Sequence, residues 1–472
     1  MNNRGEQLEQ HEIIKAKLMS ELKDDNDRAV FSAIWNACSD MSRYAVSSFE
    51  PKLRDALFFP NDDESGKKID EGEYFAFYQL GEFGELLGKY KTYGTSQEII
   101  KSISTIPAEN MPTLNNILQG KTVFSNSDGN QKGDGERFTS IIDFPNFLAQ
   151  VLYLFLKDIK DGGIDKDDRV YRLDEKNLIQ QFEKSGLFGD VADIKAFAVH
   201  LLNIRLLFDR HVIKHDGLES KDDWRIYTYQ WLKKDKKNDF RNTFDKENTK
   251  IIMLQTMFHY SFPARNYKYW LFAYLKWLND ESRERLEECK KSGCAFKLPA
   301  NEHIKFLEEL CDKFYFNRFY NDGKGDEYFD LIYKDEIKEI SNCDFLDKGT
   351  AVENFIFNRL DYILWRRDTT QEFRFTARNS VEHYYPQNPP NNNPRLDSID
   401  HFGNLCLINH SQNSSLSNKM PSEKKAGYDV KRYPSLSLKQ RKMFECGEWL
   451  TDEIIQKHGI EMIELLNKTI SE

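Results

Sequence analysis

Apolar side chains recur with the spacing of a helix face through long parts of this chain of 472 residues. A spacing of three and four residues places them on one side of an α-helix, where they can pack into a core. Polar, glycine-containing breaks at 61–72, 125–136 and 161–168 predict surface loops. The fold class predicted is mainly α, with helices within residues 35–49, 74–90, 147–159, 194–208, 253–278 and 304–316.

The composition is typical of a folded protein that lies outside the membrane. A hydrophobic fraction of 39% with 13% aromatic residues is ample for packed cores. The longest apolar run is far shorter than the ~20 residues that span a bilayer, and no basic start precedes a long apolar stretch. The seven cysteines include no C-x-x-C pair, which argues against a disulfide framework and a zinc ribbon. We expect a soluble, cytoplasmic chain with free thiols.

The region after residue 370 departs from the helical pattern. Residues 374–385 are rich in aromatic and β-branched side chains and predict a strand that ends before Pro386. Residues 387–399 contain several prolines among asparagines, which excludes a helix or a central strand and predicts a loop. Residues 403–409 predict a second short strand that is covered on both faces.

A helix is expected after the second strand. Ser411 or Ser414 is suited to cap it, and Leu416 and Met420 lie four residues apart on its apolar face. The predicted unit is therefore strand, loop, strand, helix.

Three side chains in this unit suit the hydrolysis of a phosphodiester bond. His383 can take a proton from water near neutral pH, because imidazole titrates in that range. Glu382 and Asn413 supply oxygen atoms, which suit Mg²⁺ or Mn²⁺ better than zinc. Adjacent residues of a regular strand point to opposite faces, so Glu382 and His383 share one site only where the strand is irregular. We expect that irregularity because Pro386 follows closely.

Two further residues belong to the predicted site. Asn404 follows Gly403, and its side-chain amide is suited to hold the long loop so that His383 stays oriented for catalysis. His410 lies three residues before Asn413 and is a candidate for an additional metal ligand.

Basic residues cluster directly after the predicted site. Between 419 and 442 there are eight basic and two acidic residues, a local charge of +6 in a chain of net charge −10. Such a cluster can contact a phosphate backbone, and its contribution weakens with salt. The alternative is a solvated helix face, which is the more common origin of a charge run. The candidates for nucleic-acid contacts are Lys419, Lys424, Lys425, Lys431 and Arg432.

The order of these residues resembles the HNH, or ββα-metal, nuclease motif in the version found at the C-terminus of GmrSD-type, modification-dependent restriction enzymes. That pattern runs E-H-x-x-P-Q, then G-N-L-x-L, then N-S-x-L-S-N and a lysine. This chain has these pieces at 382–387, 403–407 and 413–418, followed by Lys424 or Lys425. The resemblance implies a small C-terminal ββα-metal domain, with His383 as general base, Glu382 and Asn413 as metal ligands, and Asn404 as the residue that holds the loop.

A second resemblance lies at the N-terminus. Residues 2–22 are similar to the segment that closes the nucleotide-dependent domain of the same enzymes, where a polar turn precedes a helix. The upstream signature that this family uses for nucleotide hydrolysis does not occur in the sequence, so we expect either a nucleotide-hydrolysing partner or a shortened member. The resulting division is a remnant of that domain at 1–24, helical domains at 25–300, and a C-terminal domain at 301–472 with the HNH core at 371–445.

The residues and the resemblance together predict a metal-dependent HNH endonuclease that hydrolyses DNA, with Mg²⁺ or Mn²⁺ as cofactor and restriction of phage or modified DNA as its role. Two alternatives stay open. One is a DNA-binding or regulatory subunit that is inactive without a partner NTPase domain. The other is an RNA-cleaving toxin that uses the same metal site.

Overall fold

The computed structural model describes residues 9–58, 82–93, 138–158, 173, 175–217, 224–232, 237–264, 268–292, 298–320, 325–340, 342–409, 418–426, 436–446 and 451–470. Over these residues the chain is mainly α-helical, which confirms the predicted fold class at that level. None of the helices described there is long and apolar enough to cross a membrane.

Helices account for most of the described secondary structure. In chain order they are α1 (Gln10–Glu21), α2 (Asp25–Ser39), α3 (Pro51–Phe58), α4 (Phe83–Tyr93), α5 (Phe144–Asp158), α6 (Leu178–Lys184), α7 (Val191–His211), α8 (Asn248–Ser261), α9 (Tyr269–Ser292), α10 (Ala300–Phe319), α11 (Tyr328–Leu331), α12 (Asn354–Arg367), α13 (Pro421–Ala426), α14 (Leu438–Glu445) and α15 (Asp452–Leu466). Short 3-10 turns occur at Ala45–Ser48, Asp245–Glu247, Asp344–Leu346, Gly349–Ala351 and Phe402–Asn404.

The strands are short and pair in small antiparallel sheets. The first sheet has the order β1-β2-β3, and the other strands form two separate pairs, β4 with β5 and β6 with β7. Their bounds are β1 (Phe138–Ser140), β2 (Lys214–Asp216), β3 (Trp224–Arg225), β4 (Tyr227–Leu232), β5 (Lys237–Asn242), β6 (Ser380–His383) and β7 (Leu405–Ile408).

The chain divides into two compact units. The first consists of Met1–Asp245 and Arg265–Leu298, and the second of Lys246–Ala264 and Pro299–Glu472. The second unit thus begins its main segment close to the predicted domain start at 301, and it also includes helix α8 from earlier in the chain.

The first unit is built around helix α7. This helix packs against α2, α5 and α9, and most of its residues are buried. Helix α1 packs on α2, α5 and α6, and its side chains Ile14 and Leu18, with Leu22 just beyond, are fully buried. Helix α1 is the helix expected after the polar turn of this segment, whereas residues 2–8 lie outside the described part of the chain.

Helix α2 ends earlier than its apolar pattern predicts. Helices α5, α7 and α10 confirm the predictions at 147–159, 194–208 and 304–316, but the helix predicted at 35–49 is wrong beyond Ser39. The buried side chain of Arg205 donates hydrogen bonds to the carbonyl oxygens of Cys38, Asp40 and Arg43. These carbonyl groups are therefore satisfied by a side chain from a distant helix, and the backbone turns instead of continuing α2.

The long helix predicted at 253–278 is also interrupted. Helix α8 ends at Ser261 and α9 begins at Tyr269. Pro263 lies between them, and proline lacks an N–H and disfavours a helical conformation at the residue before it. Of the helix predicted at 74–90, the described residues lie in or next to α4, and the loops predicted at 61–72, 125–136 and 161–168 lie outside the described residues.

The second unit is built around helix α12. This helix packs on α8, α14, α15 and β7. Its fully buried Arg359 donates hydrogen bonds to the carbonyl oxygens of Leu466, at 2.7 Å, and Lys468, at 3.0 Å, and to the carboxylate of Asp312, at 2.6 Å. Arg359 thereby fixes the C-terminal end of α15 to the centre of the unit.

The backbone of helix α15 lies directly against the backbone of the turn before β7. A Cβ atom at Gly403 would lie 1.9 Å from the carbonyl oxygen of Ile455 and 2.8 Å from the nitrogen of Gly459. Both distances are far below a normal contact, so only glycine allows this packing. The close approach places the segment that begins β7 directly on α15.

We expect Gly403→Ala to destabilise the second unit by about 1–3 kcal/mol or more, because the added methyl group overlaps backbone atoms that cannot rotate away. The matched control is Gly88→Ala within α4, where nothing lies within 4 Å of the added Cβ. That change should stabilise the chain by about 0.5–1 kcal/mol, because alanine favours a helix over glycine. Thermal denaturation followed by circular dichroism measures both, and equal effects of the two changes would contradict the packing.

Candidate active site

The paired strands β6 and β7 confirm one predicted strand and shorten the other. All four residues of β7, Leu405 to Ile408, are at most 1% exposed, as predicted for a strand covered on both faces. Strand β6 covers only the part of 374–385 that begins at Ser380. Before it, the nitrogen of Arg378 donates to the carbonyl oxygen of Thr376, and this tight turn keeps residues 374–379 out of the ladder.

The ladder stays regular to the end of β6. Glu382 pairs with Cys406 and His383 with Leu405. The predicted irregularity at these two positions is therefore wrong, and the side chains of Glu382 and His383 leave the strand on opposite faces. Each has its own set of partners as a consequence.

The segment 387–399 is a loop, as predicted, without helix or strand. It turns at Asn391 and Asn392, whose φ angles are 56° and 58°. Asparagine adopts this left-handed conformation more readily than most other residues. The asparagines of this loop therefore favour the turn, and the prolines around them prevent regular structure.

The imidazole of His383 is held by a carboxylate. Its Nε2 lies 2.8 Å from Oδ1 of Asp400, and the His383 side chain is 7% exposed while that of Asp400 is 51% exposed. The side-chain amide nitrogen of Gln387 lies 3.4 Å from the same carboxylate oxygen and 3.4 Å from Nε2. Nδ1 of His383 forms no hydrogen bond with any described residue. One side of the ring is thus fixed and the other keeps its hydrogen-bonding capacity.

Asn404 closes the loop that separates His383 from Asp400. Its fully buried side chain accepts a hydrogen bond from the nitrogen of Tyr385 at 2.7 Å and donates to the carbonyl oxygens of Tyr385 at 3.0 Å and Ile399 at 2.9 Å. Tyr385 follows His383 by two residues, and Ile399 directly precedes Asp400. The amide therefore ties together the two ends of the loop, which is the geometry expected of Asn404 from its place in the sequence.

A glycine makes room for the Asp400 carboxylate. Gly349 has a φ of 55°, and a Cβ atom there would lie 2.6 Å from Oδ1 of Asp400. The nitrogen of Gly349 also donates to the carbonyl oxygen of Asp400 at 3.4 Å. The 3-10 turn Gly349–Ala351 thus lies on one side of the Asp400 carboxylate and limits where it can lie.

Glu382 is paired with a buried lysine. Nζ of Lys424 lies 2.7 Å from Oε1 of Glu382 and 2.6 Å from the carbonyl oxygen of His383. The side chain of Lys424 is 1% exposed and that of Glu382 is 17% exposed. The prediction that Lys424 contacts nucleic acid is therefore wrong in this structure, because its ammonium group is enclosed by protein acceptors.

The other basic candidates are divided. Lys419 and Lys425 are both exposed, and Nζ of Lys425 donates to the carbonyl oxygen of Phe444 at 2.6 Å. Lys431 and Arg432 lie outside the described residues. The local charge of +6 does not form one surface patch, since Lys424, Lys439 and Arg441 are all buried.

Lys439 supports the segment that carries Asn404. Its fully enclosed ammonium group donates to the carbonyl oxygens of Phe402 at 2.8 Å and Leu405 at 2.5 Å, and it lies 4.6 Å from the ring centre of Phe402. Burial lowers the pKa of Lys439 to about 7. Asn404 lies between these two carbonyl groups, so Lys439 fixes the backbone on both sides of it.

The predicted helix and part of the predicted ligand set fall outside the described residues. His410, Asn413 and the capping candidates Ser411 and Ser414 lie in 410–417. The described helix that follows β7 is α13, which begins at Pro421. The metal-ligand role predicted for Asn413 and the additional role for His410 stay predictions.

Glu382 fits a hard cation as one ligand. Its Oε2 forms no hydrogen bond with a described residue, and carboxylate oxygen is the donor that Mg²⁺ prefers. The described part of the chain contains no group of three or more His, Cys, Asp or Glu side chains that could hold a metal ion. A complete set of ligands therefore requires donors from the remaining residues, such as Asn413.

Asp400 and the partnership of Lys424 with Glu382 were not predicted. Asp400 stands at the end of the loop, four residues before Asn404, and its spacing of seventeen residues from His383 corresponds to no regular element. The sequence offered one signal for Asp400, namely an acidic residue at the end of the proline-rich loop that begins after His383. Lys424 was recognised as part of the pattern, but a charge run gives no sign of which lysine is buried.

The region that contains these residues matches a family of restriction enzymes. Residues 343–465 match the family described as GmrSD restriction endonucleases, C-terminal domain. This region of the chain is thus a GmrSD-type C-terminal domain, as the resemblance of its motifs predicted. No match was found among curated proteins or among solved structures.

We expect Asn404→Asp to destabilise the second unit, since a carboxylate cannot donate to the buried carbonyl groups of Tyr385 and Ile399. Each carbonyl left without a donor costs about 1–3 kcal/mol. The control is Asn393→Asp in the same loop, because Asn393 makes one local hydrogen bond to the carbonyl oxygen of Pro390. Urea denaturation should show a clearly lower midpoint for the first variant only, and similar midpoints would argue against the closure of the loop by Asn404.

Lys424→Met should lower the free energy of unfolding of the second unit by about 3–5 kcal/mol, because it leaves the largely buried carboxylate of Glu382 without its partner. Lys419→Met is the control, since Lys419 is exposed, and changes at such positions are usually within about 0.5 kcal/mol. The midpoints of denaturation measure the difference. A Lys424→Met variant as stable as the native chain would show that the ion pair does not form.

Proposed function

We propose that this chain is a metal-dependent HNH endonuclease that hydrolyses phosphodiester bonds of DNA. The observation that carries the proposal is the fixed imidazole of His383, bonded to Asp400 at the mouth of a loop that Asn404 closes. It lies in a region that matches a family of restriction endonucleases. The family match supports the class of reaction, and the geometry supports the choice of base.

His383 acts in this proposal as the general base. Its ring is oriented through Nε2, and it lies beside a carboxylate that stabilises the imidazolium formed when the ring takes a proton from water. The hydroxide so formed attacks the phosphorus atom, and the bond to the 3′ oxygen breaks. The product carries a 5′ phosphate.

Glu382 and Asn413 are the residues that would hold the cation, Mg²⁺ or Mn²⁺, with His410 as a further candidate. Because Glu382 and His383 leave β6 on opposite faces, this assignment requires the end of β6 to rearrange when the cation and DNA bind. When bound, the cation neutralises negative charge on the phosphate and on the leaving 3′ oxygen. Lys424 takes one carboxylate oxygen of Glu382 and so restricts the orientation of the other. Lys424 in this way supports the predicted ligand from inside the protein.

The proposed substrate is phage or modified DNA, and the family name, which describes restriction endonucleases, supports DNA as the substrate class. Lys419 and Lys425 are exposed members of the basic cluster among the described residues. With Lys431 and Arg432 they would contact the phosphate backbone, and binding should weaken as salt rises. A nucleotide-hydrolysing partner domain or subunit remains part of the proposal for the complete system.

His383→Ala should abolish most of the Mg²⁺-dependent cleavage of DNA, because loss of a general base typically costs about 10²–10⁴-fold in rate. The control is His259→Ala, a histidine on helix α8 of the same unit that lies outside the site. Cleavage of plasmid and phage DNA, with and without EDTA, measures the effect, and circular dichroism checks the fold. Unchanged cleavage by His383→Ala, or cleavage of RNA but not DNA, would overturn the proposal.

A further inference from the structure

Asp400 is a residue to which neither the motif nor the family match gives a role, and its position is built by several parts of the second unit. Asn404 donates hydrogen bonds to both Tyr385 and Ile399, and it thereby brings the chain next to Asp400 close to the chain that follows His383. Gly349 leaves the space that the carboxylate occupies. The amide nitrogen of Gln387 lies within 3.4 Å of the same oxygen. The contact between Asp400 and His383 is thus supported from three sides.

The 2.8 Å contact determines where the imidazole proton lies. The Asp400 side chain is half exposed to water, and an ionised carboxylate can only accept hydrogen bonds. If Nε2 carried no hydrogen, its lone pair would face a lone pair of Asp400 Oδ1 and the two would repel each other. We therefore place the hydrogen on Nε2. In the neutral ring one nitrogen is protonated and the other is not, which leaves Nδ1 as the basic atom.

Building on the proposed function, we infer that Asp400 is a positioning residue that keeps the proton on Nε2 of His383, so that Nδ1 is the atom that takes the proton from the attacking water. The O–H bond of water breaks, an N–H bond forms at Nδ1, and the resulting hydroxide displaces the 3′ oxygen, which takes a proton from solvent. The ring becomes an imidazolium ion whose charge faces the carboxylate of Asp400. The ring then returns its proton to solvent before the next turnover.

The position of Nδ1 agrees with this role. Nε2 is occupied by Asp400 and approached by Gln387, while Nδ1 has no hydrogen-bond partner among the described residues. A ring whose base nitrogen were Nε2 would have to break its contact with Asp400 before it could take a proton from water. The observed arrangement requires no such rearrangement of the protein.

The location of the proton can be read directly by ¹⁵N NMR of protein labelled at histidine, at a pH where the ring is neutral. We expect the His383 signals, assigned by their loss in His383→Gln, to show a protonated Nε2 and an unprotonated Nδ1. This measurement uses the native chain and does not depend on activity. A proton found on Nδ1 overturns the inference and leaves the proposed function intact.

The companion experiment is the kinetics of Asp400→Asn. Asparagine has a similar shape but can donate as well as accept, so it no longer enforces one tautomer. We expect kcat to fall on the order of 10²-fold or more while KM for DNA stays unchanged, because the lost interaction acts on the base rather than on substrate binding. The NMR spectrum of this variant should show the proton shared between both ring nitrogens or moved to Nδ1.

The matched control is Asp397→Asn. Asp397 is exposed and lies in the same loop, three residues before Asp400. Its substitution by asparagine removes the same charge as Asp400→Asn. It should leave both kcat and the His383 signals unchanged. Native kcat in Asp400→Asn together with an inactive His383→Ala would refute the role of Asp400 alone, whereas activity in His383→Ala would refute the proposed function itself.

Discussion

The hydrogen bonds of one side-chain amide determine the geometry of the candidate site. Asn404 binds the backbone of Tyr385 through both its oxygen and its nitrogen, and it binds the carbonyl oxygen of Ile399 as well. The loop between these residues is too rich in proline to be held by regular secondary structure. Because the amide joins its two ends, Asp400 meets His383 although the two residues are far apart in the chain. Burial of Asn404 strengthens these bonds, since no water competes for the amide.

Two lysines stabilise the same region from within. Lys424 donates to the carbonyl oxygen of His383, and Lys439 donates to those of Phe402 and Leu405. Because His383 pairs with Leu405, these lysine side chains hold both strands at the same end of the β6–β7 ladder. A pair of strands this short has few ladder hydrogen bonds of its own. The buried lysine side chains compensate for that deficit, and they explain why a basic stretch of sequence contributes less to the surface than its charge suggests.

The sequence predicted those features that depend on local periodicity. The apolar stripes of α5, α7 and α10 and the double-faced burial of β7 follow from spacing alone. The end of α2 could not be predicted, because Arg205 from a distant helix supplies the hydrogen bonds that stop it. The same limit applies to the candidate site, for which the order of residues in the chain predicted His383 and Asn404. Asp400 and the burial of Lys424 depend on loop closure and long-range packing, which no local pattern encodes.

The contact between Gly403 and helix α15 has a mechanical consequence for the site. Backbone lies against backbone there, so no side chain can change its rotamer to absorb a displacement. Helix α15 is in turn anchored at its far end by Arg359. Helix α15, the last helix of the described residues, therefore supports the segment that carries Asn404 through backbone contact, and the position of the loop that Asn404 closes depends on where this helix lies.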